Sequence, residues 1–206
     1  MTRAVAILIS GRGSNMVSLV EGMAGSAHAR PALVLSNRPD AGGLARAASL
    51  GVPTAVIDHR AHPDRTSFER ALDARLVRAG ADMIACAGFM RILTPYLTGK
   101  WEGRMLNIHP SLLPLFPGLD THRRALEAGV AVHGCTVHEV TEALDGGPIL
   151  GQAVVVVEPG DTEDSLAARV LEQEHRLYPP VLEAFARDPE AARRTPISLF
   201  GAEPTA

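Results

Sequence analysis

The stretch Ala4–Val5–Ala6–Ile7–Leu8–Ile9–Ser10–Gly11–Arg12–Gly13–Ser14–Asn15 decides the fold class of this chain. Six apolar residues come first, a glycine-rich turn follows, and helical spacing begins near Asn15 and continues to Ala24. An apolar run without polar interruptions is typical of a strand that is buried on both faces, as in a parallel sheet. The stretch therefore predicts a β-strand, a tight loop and an α-helix.

The same alternation continues along the first half of the chain. Further apolar runs predict strands at Ala32–Leu35, Thr54–Ile57, Met83–Ala87 and Arg104–Ile108, and helical spacing predicts helices at Asn15–Ala24, Gly43–Leu50 and Asp64–Arg78, the last capped by Asp64. Strands that alternate with helices form βαβ units, so we expect an α/β fold: a single-domain, doubly wound, mostly parallel sheet of Rossmann-like type.

The pattern changes after Pro110. A proline-rich loop is followed by a short helix near Thr121–Ala128, and the runs His133–Val140 and Ile149–Val157 predict a mixed extension of the sheet. A final helix is expected from Asp161 or Thr162 past Glu174, with Pro179 and Pro180 bending or interrupting it. The polar segment 189–206 is expected to be a peripheral tail.

The composition argues against nucleic-acid binding and against membrane association. The chain has 206 residues, a formal charge of −3 and only 4% aromatic residues, so it offers no basic stripe for nucleic acid. No apolar run approaches the roughly 18 residues of a membrane span, and no signal peptide is recognised, so we expect no membrane association and a cytoplasmic protein. Cys86 and Cys135 lie in apolar runs and are expected to be buried, reduced thiols without a catalytic role.

The loop Gly11–Asn15 has two interpretations. Backbone N–H groups at the start of a helix bind anions, which favours a phosphate. The glycines could instead serve only a tight turn, with Ser14 and Asn15 as capping residues. A dinucleotide fingerprint would require a third glycine where Met16 stands and an acidic residue near Ser36–Asn37, so NAD binding is disfavoured.

A second informative stretch is Leu106–Asn107–Ile108–His109–Pro110, with Leu144–Asp145–Gly146–Gly147–Pro148 downstream. Asn107 and His109 are two residues apart, so on a strand both side chains leave the same face, and Pro110 ends that strand. An amide and an imidazole can stabilise an oxyanion, and Asp145 can supply the counter-charge and accept a proton. Taken alone, the residues are also compatible with turn residues and a structural histidine.

His133 and His138 could be metal ligands together with His109. Five residues apart on a strand, they face opposite sides unless a bulge intervenes, and no cysteine or carboxylate stands at ligand spacing. We predict no catalytic metal. A structural role is favoured for each histidine, although either could line the site.

From Val5 to about Phe185 the chain resembles the phosphoribosylglycinamide formyltransferases, folate-dependent enzymes of purine synthesis. The loop Ser10–Asn15, the stretch Leu106–Pro114 and the stretch Leu144–Pro148 carry the resemblance. It implies formyl transfer from 10-formyltetrahydrofolate to the amine of the ribonucleotide, without a metal, by a monomer or homodimer. It also implies a formyltransferase domain at 1–188, with a nucleotide- and phosphate-binding half at about 1–100 and a folate-binding, catalytic half at about 101–188.

The resemblance also assigns roles to individual residues. Asn107, His109 and Asp145 match the catalytic set, and Gly13, Ser14 and Asn15 match the residues that hold the ribonucleotide phosphate. The folate is expected to contact Asn107 and two segments of the chain. The first segment is Met90, Arg91, Ile92 and Leu93, and the second is Thr141, Glu142, Ala143, Leu144 and Asp145. Arg65 or Arg91 could bind the carboxylates of the folate tail, although either could be a solvated surface arginine.

Glu174 falls on the apolar stripe of the last predicted helix, with Leu166, Val170, Leu177 and Val181. A carboxylate on such a face requires a partner. The resemblance suggests that Glu174 binds the glycinamide ribonucleotide, and a buried ion pair with an arginine is the alternative. Among related enzymes, formyltetrahydrofolate deformylase is the closest alternative function. It typically carries an additional N-terminal domain, and methionyl-tRNA formyltransferase an additional C-terminal one.

Overall fold

A computed structural model describes residues 1–200 as an α/β unit around one sheet. Its first five strands are β1 (Arg3–Ile9), β2 (Ala29–Ser36), β3 (Thr54–Val56), β4 (Met83–Cys86) and β5 (Met105–His109). The helices between them are α1 (Ser14–Gly22), α2 (Gly43–Ser49), α3 (Arg65–Arg78) and α4 (Pro95–Lys100), with a 3₁₀ turn at His59–Ala61. All neighbouring pairs among β1–β5 are parallel, as the βαβ alternation predicts.

The strand order places a switch point at the centre of the sheet. The described strands are arranged β3-β2-β1-β4-β5-β6-β7-β8, so the chain moves outward from β1 to β3 and then returns to β4. In open α/β sheets, ligands bind at the carboxyl ends of the strands where the order reverses. The loops that follow β1 and β4 therefore flank the expected binding position.

Beyond β5 the sheet becomes mixed. Strand β6 (Val132–Glu139) is antiparallel to β5 and to β7 (Ile149–Val156), and α5 (Thr121–Glu127) precedes it. This confirms the predicted mixed extension. The segment predicted as a tail contains helix α7 (Pro189–Arg194) and strand β8 (Ile197–Phe200), which pairs with β7 at the sheet edge. The rest of that segment, 201–206, lies outside the described residues.

The final helix, α6 (Glu163–Arg187), passes through Pro179 and Pro180 without interruption. Thr162 caps it by accepting a hydrogen bond from the N–H of Ser165. The expectation of an interruption at the prolines is wrong. Leu177, Tyr178, Val181, Leu182 and Phe185 are all buried around them. Burial of these large side chains outweighs the two backbone hydrogen bonds that the prolines cannot donate.

Helices cover both faces of the sheet, which confirms the doubly wound architecture. Val5, Ile7 and Ile9 pack with residues of α1 and α6 on one face. Ala6 and Leu8 pack with residues of α3 and α4 on the other face. No helix among residues 1–200 combines the length and the apolar character needed to cross a membrane.

Candidate functional site

The glycine loop forms the turn that leads from β1 into helix α1. Gly13 is the N-cap residue with φ of 73°, and no side chain caps the helix, so the capping role considered for Ser14 and Asn15 is absent. A Cβ on Gly13 would lie 2.9 Å from the Cα of Gly43, and the N–H of Gly43 donates to the carbonyl of Gly11 at 3.0 Å. Glycine is therefore required at position 13 both for the left-handed backbone and for this close approach.

Asn15 and Glu174 form a buried pair between α1 and α6. Asn15 Nδ2 donates to Glu174 Oε2 at 2.6 Å, and both residues are more than nine-tenths buried. The partner that Glu174 required is thus an amide, and the alternative of an ion pair with arginine is wrong. Burial raises the pKa of Glu174 to about 7, although the hydrogen bond from Asn15 opposes the shift. Asn15 Oδ1 is buried and has no hydrogen-bond partner among residues 1–200.

Asn107 is held by the strand next to its own. In the antiparallel register it faces His138, and its Nδ2 lies 3.2 Å from His138 Nε2. His138 Nδ1 donates to the carbonyl of Glu139 at 2.8 Å, so Nε2 of the neutral ring accepts the hydrogen bond from Asn107. Burial lowers the pKa of His138, which favours this neutral form. One N–H of the Asn107 amide is therefore occupied and the other is free for a ligand.

His109 and Asp145 form the charged part of the cluster. His109 Nε2 donates to the carbonyl of Phe116 at 3.0 Å, and its Nδ1 lies 3.5 Å from Asp145 Oδ2. Asp145 Oδ1 lies 3.8 Å from His138 Nε2. Nδ1 of His109 thus faces a carboxylate whose side chain is only 9% exposed.

The loop between β6 and β7 places Asp145 by tight backbone contacts. Asp145 has φ of 52°, and its Oδ2 accepts a hydrogen bond from the N–H of Gly118 at 2.8 Å. A Cβ on Gly147 would lie 1.9 Å from the carbonyl oxygen of Glu139, so only glycine allows the loop to return this closely to β6. The Asp-Gly-Gly-Pro sequence is therefore the local cause of the position of Asp145.

Two adjoining cavities follow the carboxyl edge of the sheet. The first, of about 570 Å³, is lined by the glycine loop with Gly13 and Ser14, and by Asn37, Arg38 and His59. The second, of about 830 Å³, contains the Asn107, His109 and Asp145 cluster and Glu174. Asn15, Gly88, Met90 and Arg91 line both. These volumes are in the range of small-molecule sites.

The second cavity also brings together the residues named for the folate. They lie on its two sides: Arg65, Met90, Arg91, Ile92 and Leu93, and Thr141, Glu142, Ala143 and Leu144. Met90, Ile92 and Leu144 line this cavity, and each exposes more than half of its surface. Their side chains therefore offer apolar surface to a ligand. Such walls suit a flat aromatic ligand.

Sequence reasoning missed several lining residues. His138 lies in the cluster; the sequence favoured a structural role for it and left a place at the site open. Its register opposite Asn107, next to a register shift at Val137/His138, cannot be seen in the sequence. His133 packs instead against Phe116 and His122. Asn37, Arg38 and His59 follow β2 and β3, and their position at a strand end was the available signal. Residues 1–200 contain no group of three or more His, Cys, Asp or Glu that could hold a metal ion.

Comparison with known proteins identifies the family. Residues 3–182 match the family model described as formyl transferase. The phosphoribosylglycinamide formyltransferase of Escherichia coli is 45% identical over 187 residues, which are 88% of this chain and 86% of that protein. The crystal structure of the Brucella melitensis phosphoribosylglycinamide formyltransferase superimposes with a TM-score of 0.86 at 49% identity, covering 90% of this chain and 96% of that one.

A longer relative matches over the same region. The trifunctional purine biosynthetic protein adenosine-3 of Gallus gallus is 47% identical over 183 residues, which are 88% of this chain but 18% of that protein. The chain thus spans less than one fifth of the trifunctional relative and most of the bacterial ones. Together with the cavity and its side chains, these matches show that the chain belongs to the formyl transferase family, among the phosphoribosylglycinamide formyltransferases.

Proposed function

We propose that the protein transfers the formyl group of 10-formyltetrahydrofolate to the amine of 5-phosphoribosylglycinamide, a step of de novo purine biosynthesis. One observation carries the proposal: Asn107, His109 and Asp145 converge in a cavity that adjoins both the open start of α1 and the buried Glu174. The bacterial relatives named for this reaction match most of the chain, which supports the same assignment.

The ribonucleotide binds where the two cavities meet. Its phosphate accepts hydrogen bonds from Gly13, Ser14 and Asn15 at the start of α1, where the helix dipole favours an anion. Glu174 and the free Oδ1 of Asn15 are acceptors close by, and they bind the N–H and hydroxyl groups of the ribosyl-glycinamide part. Its amine is thereby directed towards the Asn107 and His109 cluster.

The formyl-folate occupies the second cavity. The pteridine lies between the segments 90–93 and 141–145, where Met90, Ile92 and Leu144 provide apolar surface. Arg65 and Arg91 also line this cavity, and neither forms an ion pair within residues 1–200. They are therefore available to bind the carboxylates of the glutamate tail. The folate thus contacts residues on both sides of position 100, and the division into a nucleotide-binding half at about 1–100 and a folate-binding, catalytic half at about 101–188 stays a prediction.

The reaction needs no covalent enzyme intermediate. The amine nitrogen attacks the formyl carbon, a C–N bond forms, and the carbonyl oxygen takes the electron pair. The free N–H of Asn107 and a protonated His109 stabilise this oxyanion. Asp145 accepts the proton lost by the amine, directly or through water. The oxyanion then re-forms the carbonyl, the bond between the formyl carbon and N10 of the folate breaks, and N10 takes a proton from His109, which the proton held by Asp145 replaces.

His138 acts on Asn107 and not on the substrate. Because its Nδ1 is committed to the carbonyl of Glu139, its Nε2 holds one amide hydrogen of Asn107. The amide is thereby fixed with its nitrogen, rather than its oxygen, towards the cavity. An oxyanion needs a donor there, so this orientation is part of the site.

The proposal is tested with the purified protein and 10-formyltetrahydrofolate, whose consumption is followed by absorbance with and without the ribonucleotide. Consumption only in the presence of the ribonucleotide supports the transferase. Equal consumption in its absence identifies a deformylase, and no consumption in either case rejects both enzymes.

A further inference from the structure

A buried ion pair joins the last residue of β6 to the C-terminal helix α7. Glu139 accepts hydrogen bonds from Arg193 through both carboxylate oxygens, at 2.5 Å from Nε and 2.8 Å from Nη2. The side chain of Glu139 is only 5% exposed. A carboxylate buried to this degree needs a partner with charge and hydrogen-bond donors, and a guanidinium provides both. The proposed function leaves this pair without a role.

Arg193 is held in place by the packing of α7. Asp188 caps this helix by accepting a hydrogen bond from a backbone N–H of its first turn, and the buried Ala192 belongs to the same core as α6. The guanidinium carbon of Arg193 lies 5.7 Å from the centre of the Phe185 ring, and Glu190 forms a second ion pair with it. The planar guanidinium therefore meets Glu139 from a helix that is packed against the core.

The backbone of Glu139 contacts the candidate site. Its carbonyl accepts the hydrogen bond from His138 Nδ1 at 2.8 Å, which leaves Nε2 of that ring as the acceptor for Asn107. The same peptide is held by the N–H of Val140, which donates to the carbonyl of Met105 at 2.8 Å. Strand β6 ends at Glu139, and the ends of strands are held less firmly than their centres. The contact with α7 thus reinforces the peptide on which the ring of His138 depends.

We propose that Arg193 is a positioning residue for the formyl transfer: by holding Glu139, it fixes the carbonyl that sets the tautomer of His138. This inference rests on the proposed function, because the tautomer matters only if an oxyanion forms beside Asn107. If the carbonyl moves, Nδ1 loses its acceptor and the ring can carry its proton on Nε2 instead. The Asn107 amide then turns its oxygen towards that N–H, and the oxyanion loses a donor.

The position of Arg193 in the chain adds to the interest of this contact. The match to the formyl transferase family model ends at residue 182, and α7 begins at Pro189. The alternative is an ion pair that only holds α7 to the sheet. Such a pair would change stability, whereas the proposed role also changes the protonation of one ring and the orientation of one amide. Measurements of turnover and of the ring therefore separate the two.

The first experiment measures kcat and both KM values in the full chain, in Arg193→Gln and in the control Arg194→Gln, which changes the exposed arginine next to it on α7. We expect Arg193→Gln to lower kcat by about three- to tenfold, a loss no larger than that of a hydrogen bond to Asn107, and to leave both KM values unchanged. In a His138→Phe background the same change should have no further effect on kcat, because the ring that transmits it is gone.

Nitrogen-15 NMR of the imidazole rings reads the same contact without turnover. The His138 signals are assigned by their absence in His138→Phe. In the full chain they should show the proton on Nδ1, and in Arg193→Gln part of the population should carry it on Nε2. The doubly neutral variant Glu139→Gln/Arg193→Gln leaves no unpaired buried charge, so it should fold and show the same two changes even if Arg193→Gln does not fold.

Three results overturn the inference. One is a kcat of Arg193→Gln equal to that of Arg194→Gln, and another is a loss of kcat that persists in the His138→Phe background. The third is an unchanged set of His138 signals. A changed tautomer in Arg193→Gln, found in a protein that transfers no formyl group, would reject the proposed function and retain the contact from Arg193 to His138.

Discussion

The glycine loop and the strand pair β5–β6 form the two sides of this site in different ways. In the loop Gly11–Asn15 the backbone is the functional group, and one contiguous stretch contains all that it needs. At β5–β6 the side chains of Asn107, His109, His138 and Asp145 act together, and they come from two strands and a loop. The difference predicts different sensitivities: the loop should respond to added bulk, and the strand pair to changes of charge and hydrogen bonding.

The largest effect is expected on the strand-pair side. Asp145→Asn removes the charge beside His109 and a proton acceptor while keeping the shape of the side chain. Turnover should fall by about 100- to 10,000-fold, the range for general acid–base groups. Affinity for the ribonucleotide, measured by calorimetry, should be almost unchanged because Asp145 lies away from the glycine loop. Turnover close to that of the unchanged protein would remove Asp145 from the mechanism.

Glu174 lies where the two regions meet, and it predicts a pH dependence of stability. Its pKa is about 7 in the folded protein against a usual 4.5. Between these two pH values the folded state holds a proton that the unfolded state has released, so stability falls as pH rises. Glu174→Gln cannot ionise and keeps an acceptor for Asn15. It should be more stable than the unchanged protein by about 3 kcal/mol at pH 8 and equal to it at pH 4.5.

Urea unfolding at both pH values measures this difference. Glu172→Gln is the control, since it changes an exposed carboxylate on the same helix. A stability gain for Glu174→Gln that is the same at pH 4.5 and pH 8 would contradict the assigned ionisation.

The glycine loop provides an internal pair of substitutions. Gly13→Ala forces a side chain into a left-handed backbone and against Gly43, so we expect a loss of about 1–3 kcal/mol in unfolding free energy and weaker ribonucleotide binding. Gly11→Ala meets no atom within 4 Å and needs no positive φ, so it should change stability by less than about 0.5 kcal/mol. Equal effects of the two changes would show that the loop is not constrained by its backbone.

The smallest effect is expected at His138. His138→Phe leaves an amide hydrogen of Asn107 without its acceptor, at a loss of about 1–2 kcal/mol or roughly tenfold in kcat. His133→Phe is the matched control on the same strand, because both ring nitrogens of His133 are buried and have no hydrogen-bond partner in the described part of the chain. If the two variants have the same kcat, His138 does not position Asn107.

The difference between the two regions also explains which features could be predicted from the sequence. The β1–loop–α1 unit, the parallel strands and the face shared by Asn107 and His109 depend on local spacing, and all were predicted. The place of His138 depends on the register of β6 against β5, and the pairing of β8 with β7 depends on contacts across more than 40 residues. The continuity of α6 through Pro179 and Pro180 depends on the packing around it. Tertiary contacts decided these features, and no local pattern encodes them.

The central claim is that the strand-pair cluster passes a formyl group directly to a ribonucleotide held beside the glycine loop. A single-turnover reaction with folate labelled at the formyl carbon tests this most directly, with the products separated and counted. The account predicts that the label is recovered on the ribonucleotide amine and that Asp145→Asn slows this transfer without diverting the label. Recovery of the label as free formate in the presence of saturating ribonucleotide would contradict it.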